Sequence, residues 1–145
     1  MEIRKPNNVE LEKIGNLSAQ AIYDGTLGEV MPTYEKVQQL VQPLLAKGNY
    51  YLVAVEADEI LGWVLIGKSV DQFSDSMHGF IFELYVLEEY RGKGISTLLM
   101  KEAVEHLKND GHTEIRLSAK VENHAVKLYE RMGFRTRRVT MSLSL

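Results

Sequence analysis

Apolar positions recur along this chain with two different spacings, and each spacing predicts one kind of element. Apolar residues three and four positions apart predict amphipathic helices, whereas short apolar runs and strict alternation predict strands. Four helices are expected, at residues 9–23, 33–45, 95–109 and 122–132. Six strands are expected, at residues 2–5, 50–56, 60–69, 79–87, 113–119 and 134–143.

The boundaries between these elements follow from turn-forming and capping residues. Thr33 is expected to cap the second helix, and Pro43 is expected to kink it or end it early. The segment 57–59 is expected to join two strands as a hairpin. The resulting order, β-α-α-β-β-β-α-β-α-β, predicts an α/β protein of the α+β type that forms a single domain over residues 1–145.

Composition excludes several kinds of protein. The chain has no cysteine, which excludes disulfides, thiolate metal sites and a cysteine nucleophile. Its longest apolar runs are too short to cross a bilayer, and residues 1–5 do not resemble a secretory leader. A net charge of −3 without a basic stripe argues against nucleic-acid binding. We therefore expect a cytoplasmic protein with neither a membrane nor a nucleic acid as its partner.

The charge is distributed unevenly along the chain. Residues 1–75 are net acidic and residues 76–145 are net basic. This asymmetry would suit an anionic cofactor bound by the second half and a cationic substrate met by the first. Two solvated faces with a chance imbalance are the alternative, because such asymmetry is a weak indicator.

A basic, glycine-rich turn joins the strand at 79–87 to the long helix that begins at Ile95. The turn reads Arg91-Gly92-Lys93-Gly94-Ile95-Ser96. Glycines permit a tight turn that points successive N–H groups inward, and the helix start adds its positive dipole end. The sequence therefore predicts a cradle for a phosphorylated ligand. The dinucleotide fingerprint lacks its third glycine here, and the order of the ATP-binding P-loop is also absent.

Two motifs resemble the GNAT superfamily of N-acetyltransferases. Residues 91–96 resemble its pyrophosphate loop, [QR]-x-x-G-x-[GA], with Ser96 in place of the usual Gly or Ala. Residues 123–134, NHAVKLYERMGF, resemble its later motif, N-x-x-A-x-x-x-Y-x-x-x-G-F, with one residue fewer between Asn123 and Ala125 than the motif has. The resemblance is good over roughly residues 50–135. It implies a strongly twisted, mixed sheet flanked by helices, and an enzyme that transfers an acetyl group from acetyl-CoA to a primary amine.

The resemblance also implies which residues bind the cofactor. Backbone N–H groups of the 91–96 loop would hold the pyrophosphate, aided by the side chains of Arg91 and Lys93. The backbone of the central strand would bind the pantetheine and the thioester carbonyl, through a bulge that splays this strand from the next. The expected cofactor-binding residues are Leu84, Tyr85, Val86, Arg91, Gly92, Lys93, Gly94, Ile95, Ser96 and Asn123.

Catalytic roles follow from the same resemblance. Tyr129 matches the tyrosine that protonates the departing thiolate, although an aromatic side chain on an apolar helical face also suits a core. Glu83 is expected to be the base or to contact substrate, with a structural carboxylate as the alternative. His78 is a rival base, in a segment expected to be a polar loop. No histidine shows metal-ligand spacing, so no metal is expected. Without cysteine, direct attack in a ternary complex is expected.

The acceptor is predicted only as a class of molecule. Asp24, Glu29 and Glu83 would contact a small cationic amine. The alternatives are a protein amino terminus, a lysine side chain, or a non-catalytic module that binds acyl-CoA. A homodimer is also expected, because the last strand alternates apolar residues and carries no charge after Arg138.

Overall fold

A computed structural model describes all 145 residues, which form one five-stranded sheet with two helices on each face. The strands are β1 (Glu2–Arg4), β2 (Tyr50–Glu56), β3 (Glu59–Val70), β4 (Met77–Val86) and β5 (Ile115–Leu117). The helices are α1 (Asn8–Gly25), α2 (Tyr34–Ala46), α3 (Ile95–Asn109) and α4 (Ala125–Arg131). No helix is both long and apolar enough to cross a membrane.

The strands lie in the sheet in chain order, from β1 to β5. The first four are antiparallel to their neighbours, and β5 alone runs parallel to β4. A parallel neighbour requires a crossover connection, and α3 supplies it. The predicted hairpin is confirmed, since Glu56 pairs with Glu59 across the turn at Ala57 and Asp58.

Alternating side chains divide the core into two clusters, one on each face of the sheet. Leu52, Val64 and Ile81 pack on one face against Leu99 of α3 and Leu128 of α4. On the other face, the core residues are contributed by β2, β3, α1 and α2, and they include Ile14, Val53, Trp63 and Leu65. The mixed sheet between helices confirms the predicted fold class.

Local sequence signals account for most helix boundaries. The Asn7 side chain accepts a hydrogen bond from the Glu10 backbone, while the Glu10 carboxylate accepts one from the Asn7 backbone, which forms a complete capping box. Thr33 caps α2 as predicted. The expected kink or early end at Pro43 does not stop α2, which continues to Ala46. A proline so near the end of a helix disturbs few backbone hydrogen bonds.

The predicted sixth strand is wrong, because residues 134–145 form no strand. Backbone pairing requires a free strand edge, and only three residues of β5 are available beside this segment. The alternation of Val139, Met141 and Leu143 satisfies the local pattern for a strand, but all three side chains are exposed. The prediction of β5 was also too long, since the strand spans Ile115–Leu117 and not residues 113–119.

Candidate active site

A gap in the sheet opens between β4 and β5. The parallel pairing of these strands covers only Gly79–Ile81 of β4 and ends where Ile81 meets Leu117. At the same point along β4, its pairing with β3 shifts by one residue. Leu65 pairs with Glu83 and Ile66 pairs with Ile81, so Phe82 is an extra residue without a partner on β3. This bulge bends β4 away from β5. Beyond Phe82, β4 has a hydrogen-bonded neighbour on one side only, so it presents an open backbone edge to a ligand.

The turn after β4 supplies a second set of open backbone groups. Gly92 and Gly94 have φ values of 78° and 79°, a region that favours glycine. Gly94 caps α3 without any side-chain hydrogen bond, so the first amides of α3 are left for a ligand. The Ile95 side chain is buried while Ser96 is half-buried, so this turn offers mainly its backbone. This geometry suits the pyrophosphate of acetyl-CoA.

The basic side chains of this turn differ in their freedom. Arg91 donates from Nε to the carbonyl oxygen of Val86 at 2.8 Å, and from a terminal nitrogen to Oδ2 of Asp24 at 2.9 Å. Arg91 therefore braces the turn against β4 and α1. Lys93 is exposed and makes only a cation–π contact with Tyr90, 5.8 Å from the ring centre. Lys93 is thus the side chain of the turn that is freer to meet a phosphate.

Glu83 lies half-buried on β4, one residue past the bulge. Trp63 on β3 donates its indole N–H to Oε1 of Glu83 at 2.5 Å. Burial raises the pKa of Glu83 to about 6, although the hydrogen bond from Trp63 opposes the rise. The negative charge of Glu83 also adds to the effect of burial in raising the pKa of Tyr51. A carboxylate of this kind is ionised at neutral pH and holds a proton more readily than an exposed one.

Tyr129 is half-buried on α4 and packs on the core beneath α3. Its ring lies 6.0 Å from that of Phe134, in an edge-to-face arrangement. Burial raises the pKa of Tyr129, and no hydrogen-bond partner contributes to the shift. The phenol therefore stays protonated near neutral pH and can donate a proton.

Asn123 connects the ends of two helices. Its Oδ1 accepts a hydrogen bond from the backbone N–H of Ala125 at 2.9 Å, which caps the start of α4. Its Nδ2 donates to the carbonyl oxygen of Gly25, at the end of α1, at 3.2 Å. Asn123 therefore has the expected capping role, and its hydrogen bond to Gly25 also links the second half of the chain to the first.

Two of the three acidic residues predicted to contact substrate are engaged with basic residues. Asp24 accepts hydrogen bonds from Arg91 and from the hydroxyl of Tyr85, each at 2.9 Å. Burial opposes ionisation of Asp24, but hydrogen bonds from Arg91, Gln20 and Tyr85 outweigh it and lower the pKa of the carboxyl. Glu29 forms an ion pair with Lys120. Of the predicted acidic residues, only Glu83 has no cation beside it.

His78 lies far from Glu83. It lies on β4 opposite Ser69, and not in a loop, and it is only 4% exposed. Burial lowers the pKa of His78, and its Nδ1 has no hydrogen-bond partner. Five residues of extended strand separate it from Glu83, a distance of about 16 Å. The structure thus separates the two candidate bases, and only Glu83 borders the gap.

Two residues of this site, Trp63 and Lys120, were not predicted from the sequence, and neither was the side-chain contact of Tyr85, which was expected to bind cofactor through its backbone. Trp63 holds Glu83, Tyr85 bonds Asp24 through its side chain, and Lys120 binds Glu29. Trp63 is the single tryptophan of the chain and lies on the strand before Glu83, which is the one signal that could have suggested it. The contacts of Tyr85 and Lys120 join residues more than sixty positions apart, and no local pattern predicts them.

Comparisons with known proteins agree with this geometry. The sequence profile of the Acetyltransferase (GNAT) family matches residues 18–134. An N-alpha-acetyltransferase from Saccharolobus solfataricus is 32% identical over 118 residues, which cover 76% of this chain and 68% of that protein. N-alpha-acetyltransferase 30 from Schizosaccharomyces pombe is 36% identical over 87 residues, which are 59% of this chain. The matched region spans only 57% of the Schizosaccharomyces pombe protein.

A solved structure resembles the whole chain. A candidate acetyl transferase from Pyrococcus furiosus superposes with a TM-score of 0.82, at 27% sequence identity and over 99% of both chains. Fold and sequence motifs therefore lead to the same family.

Gly94→Val should weaken acetyl-CoA binding. The side chain would stand where the backbone approaches the pyrophosphate, at a φ that valine rarely adopts. Titration calorimetry should show at least about tenfold weaker binding. Gly111→Val is the matched control, since Gly111 also has a positive φ and open space around it but follows the other end of α3. Equal affinity in the two variants would contradict the assignment of the turn.

Proposed function

The chain belongs to the acetyltransferase (GNAT) family, and we propose that it transfers the acetyl group of acetyl-CoA to the α-amino group of a peptide or protein. Family membership makes it an acetyltransferase, and acetyl-CoA is the co-substrate of that family. The observation that carries the proposed chemistry is the position of Glu83, a carboxylate with a raised pKa, beside the gap between β4 and β5. The start of α3, whose first amides have no side-chain partner, follows the same strand.

Two findings support an α-amino acceptor. Both relatives described above are N-alpha-acetyltransferases. In addition, the carboxylates of Asp24 and Glu29 are already paired with Arg91 and Lys120, so they do not form a free anionic pocket for a second ammonium group. An acceptor with a single reacting amine needs no such pocket, whereas a diamine does.

A small cationic amine is the second candidate acceptor. The observation that favours it is Glu83, which is half-buried, has no cationic partner and would attract a positive charge. An unpaired carboxylate in such a place is costly to maintain without a purpose. The two acceptor classes differ in what surrounds the reacting nitrogen, so direct comparison of substrates separates them.

The roles of this chain's residues in the transfer follow from their chemistry. Acetyl-CoA, when bound, supplies the thioester. Backbone N–H groups of the 91–96 turn and of β4 beyond Phe82 would hold and orient it. Glu83 would take the proton that the acceptor nitrogen loses as its bond to the carbonyl carbon forms. Tyr129 would give its proton to the sulfur as the carbon–sulfur bond breaks, which leaves free CoA and an amide.

Acceptor preference should separate the two candidates. Short peptides with a free amino terminus should react with a kcat/KM at least about tenfold above that of aliphatic diamines, because no free anionic pocket is present for a second charge. Peptides whose amino terminus is blocked but which contain a lysine serve as the control for the position of the amine. Thiol release measures all three. Higher efficiency on diamines would overturn the α-amino proposal and leave acetyl transfer intact.

Tyr129→Phe should lower turnover while leaving cofactor affinity unchanged. The substitution removes only the hydroxyl, so the packing against Phe134 survives. Loss of a general acid should reduce kcat by about 10²–10⁴-fold. Tyr90→Phe, another tyrosine beside the cofactor turn, is the matched control. Full turnover in the Tyr129 variant would mean that Tyr129 only packs in the core.

Activity should fall as the pH drops through the pKa of Glu83. A base must be ionised, so protonation near pH 6 removes it, and the acceptor amine must also be neutral, with an ordinary pKa of about 7.7–8.0. The logarithm of kcat/KM should therefore rise with a slope near 2 below about pH 6, rise with a slope near 1 between about pH 6 and about pH 8, and level off above that. Glu83→Gln should retain only the slope of 1.

Trp63→Phe tests the role of Glu83 a second time, through the pH dependence of kcat/KM. Because the hydrogen bond from Trp63 lowers the pKa of Glu83, its removal should move the lower inflection to higher pH. An unchanged two-ionisation profile in Glu83→Gln would show that another group is the base.

A further inference from the structure

The end of α1 and the start of the loop after it lie across the gap between β4 and β5. We call these residues, 24–29, the strap. On the β4 side of the gap, Asp24 accepts hydrogen bonds from Tyr85 and from Arg91, each at 2.9 Å, and its side chain is only 28% exposed. This end of the strap is therefore firmly attached. Because α1 covers the face of the sheet that carries Glu83, an acceptor that approaches Glu83 through the gap meets the strap.

The attachment on the other side of the gap is weaker. There the chain continues past β5 into a loop that contains Lys120 and Asn123. Lys120 pairs with Glu29, whose side chain is 64% exposed, and donates to the carbonyl oxygen of Thr26 at 3.4 Å. Asn123 donates to the carbonyl oxygen of Gly25 at 3.2 Å. An exposed ion pair and two long hydrogen bonds hold little free energy, so this side is a latch that opens at small cost.

Hydrogen bonds within the strap and its neighbours make it a unit that can move as a whole. Oγ1 of Thr26 accepts from the backbone N–H of Val30 at 3.1 Å, and the backbone N–H of Gly28 donates to the carbonyl oxygen of Tyr23 at 2.7 Å. None of these bonds crosses the gap, so they survive when the latch opens. The firm attachment at Asp24 then serves as the hinge.

Asn123 connects the latch to the cofactor site. Its Oδ1 accepts the backbone N–H of Ala125, so its Nδ2 is directed at the carbonyl oxygen of Gly25. Asn123 is also one of the predicted cofactor-binding residues. A ligand in the gap that accepts a hydrogen bond from Nδ2 therefore competes with the strap for this group, and the closed latch opposes binding by the same amount as binding opposes the latch.

We propose that the binding of acetyl-CoA opens this latch and uncovers the acceptor side of the gap. Binding in the gap draws the amide of Asn123 away from Gly25. The ion pair of Lys120 with Glu29 then separates, and the strap turns about Asp24 to admit the acceptor. Lys120 is thus a positioning residue that keeps the free enzyme closed and does not hold the cofactor. The inference rests on the proposed function, because it takes the gap as the acetyl-CoA site.

Titration calorimetry with acetyl-CoA tests the proposal through the sign of an effect. Lys120→Met should bind acetyl-CoA about two- to fivefold more tightly than the unaltered chain, because the ion pair that opposed binding is gone. Loss of a lysine that touched the anionic cofactor would weaken binding instead. Lys108→Met removes another exposed lysine, at the far end of α3, and should leave the affinity unchanged. The exchanged pair, Glu29→Lys with Lys120→Glu, should restore the original affinity.

A distance across the latch provides a measurement that does not involve activity. The chain has no cysteine, so spin labels can be attached at Met31→Cys and Val121→Cys alone. Both positions are exposed, and they lie just beyond the strap and in the loop after β5. Electron paramagnetic resonance should show one short distance in the free protein and a longer one with acetyl-CoA. Lys120→Met should show the longer distance before acetyl-CoA is added.

Two results would overturn the latch and leave the proposed function intact. Weaker binding in Lys120→Met that the exchanged pair does not restore would show that Lys120 contacts the cofactor directly. A label distance that is the same with and without acetyl-CoA would show that the strap does not move. Failure of the unaltered chain to bind acetyl-CoA would instead overturn the proposed function, and the latch with it.

Discussion

The bulge at Phe82 is the constraint on which the site depends. It ends the pairing of β4 with β5 at Ile81, and everything past that point on β4 has one free edge. Glu83 pairs with Leu65, on the face covered by α1 and α2. Tyr129 packs on the face covered by α3 and α4. A closed sheet would separate these two side chains, whereas a gap through the sheet would give a thioester bound there access to both faces.

Opposite charges from the two halves of the chain meet beside this gap. Acidic residues from the first half, Asp24 and Glu29, meet basic residues from the second half, Arg91 and Lys120. Asn123 adds a hydrogen bond to Gly25 between the same two halves. These contacts hold the end of α1 and the loop after it against the elements that line the gap. The partners are partly exposed, so the ion pairs position these segments more than they stabilise the fold.

The sequence predicted the parts of this molecule that local patterns determine. Gly92 and Gly94 indicated a turn with positive φ before α3, and the bounds of α3 agree with the periodicity of its apolar residues. Contacts between distant segments carry no such signal. The ion pair between Arg91 and Asp24 depends on how α1 packs against the turn, which no local pattern predicts. The hydrogen bond from Trp63 to Glu83 depends in the same way on the register between β3 and β4. The error at 134–143 has the same origin, because alternation predicts a strand but not the edge that would pair with it.

Burial has opposite chemical consequences for the two proposed catalytic side chains. It raises the pKa of Glu83 to about 6 and raises that of Tyr129 above its ordinary value. Because the ordinary pKa of a carboxyl lies well below neutrality, the shift leaves Glu83 ionised at pH 7 but with a greater affinity for a proton. The ordinary pKa of a phenol lies above neutrality, so the same shift keeps Tyr129 protonated. One physical cause, the removal of water, thus suits Glu83 to its proposed role as a base and Tyr129 to its proposed role as an acid.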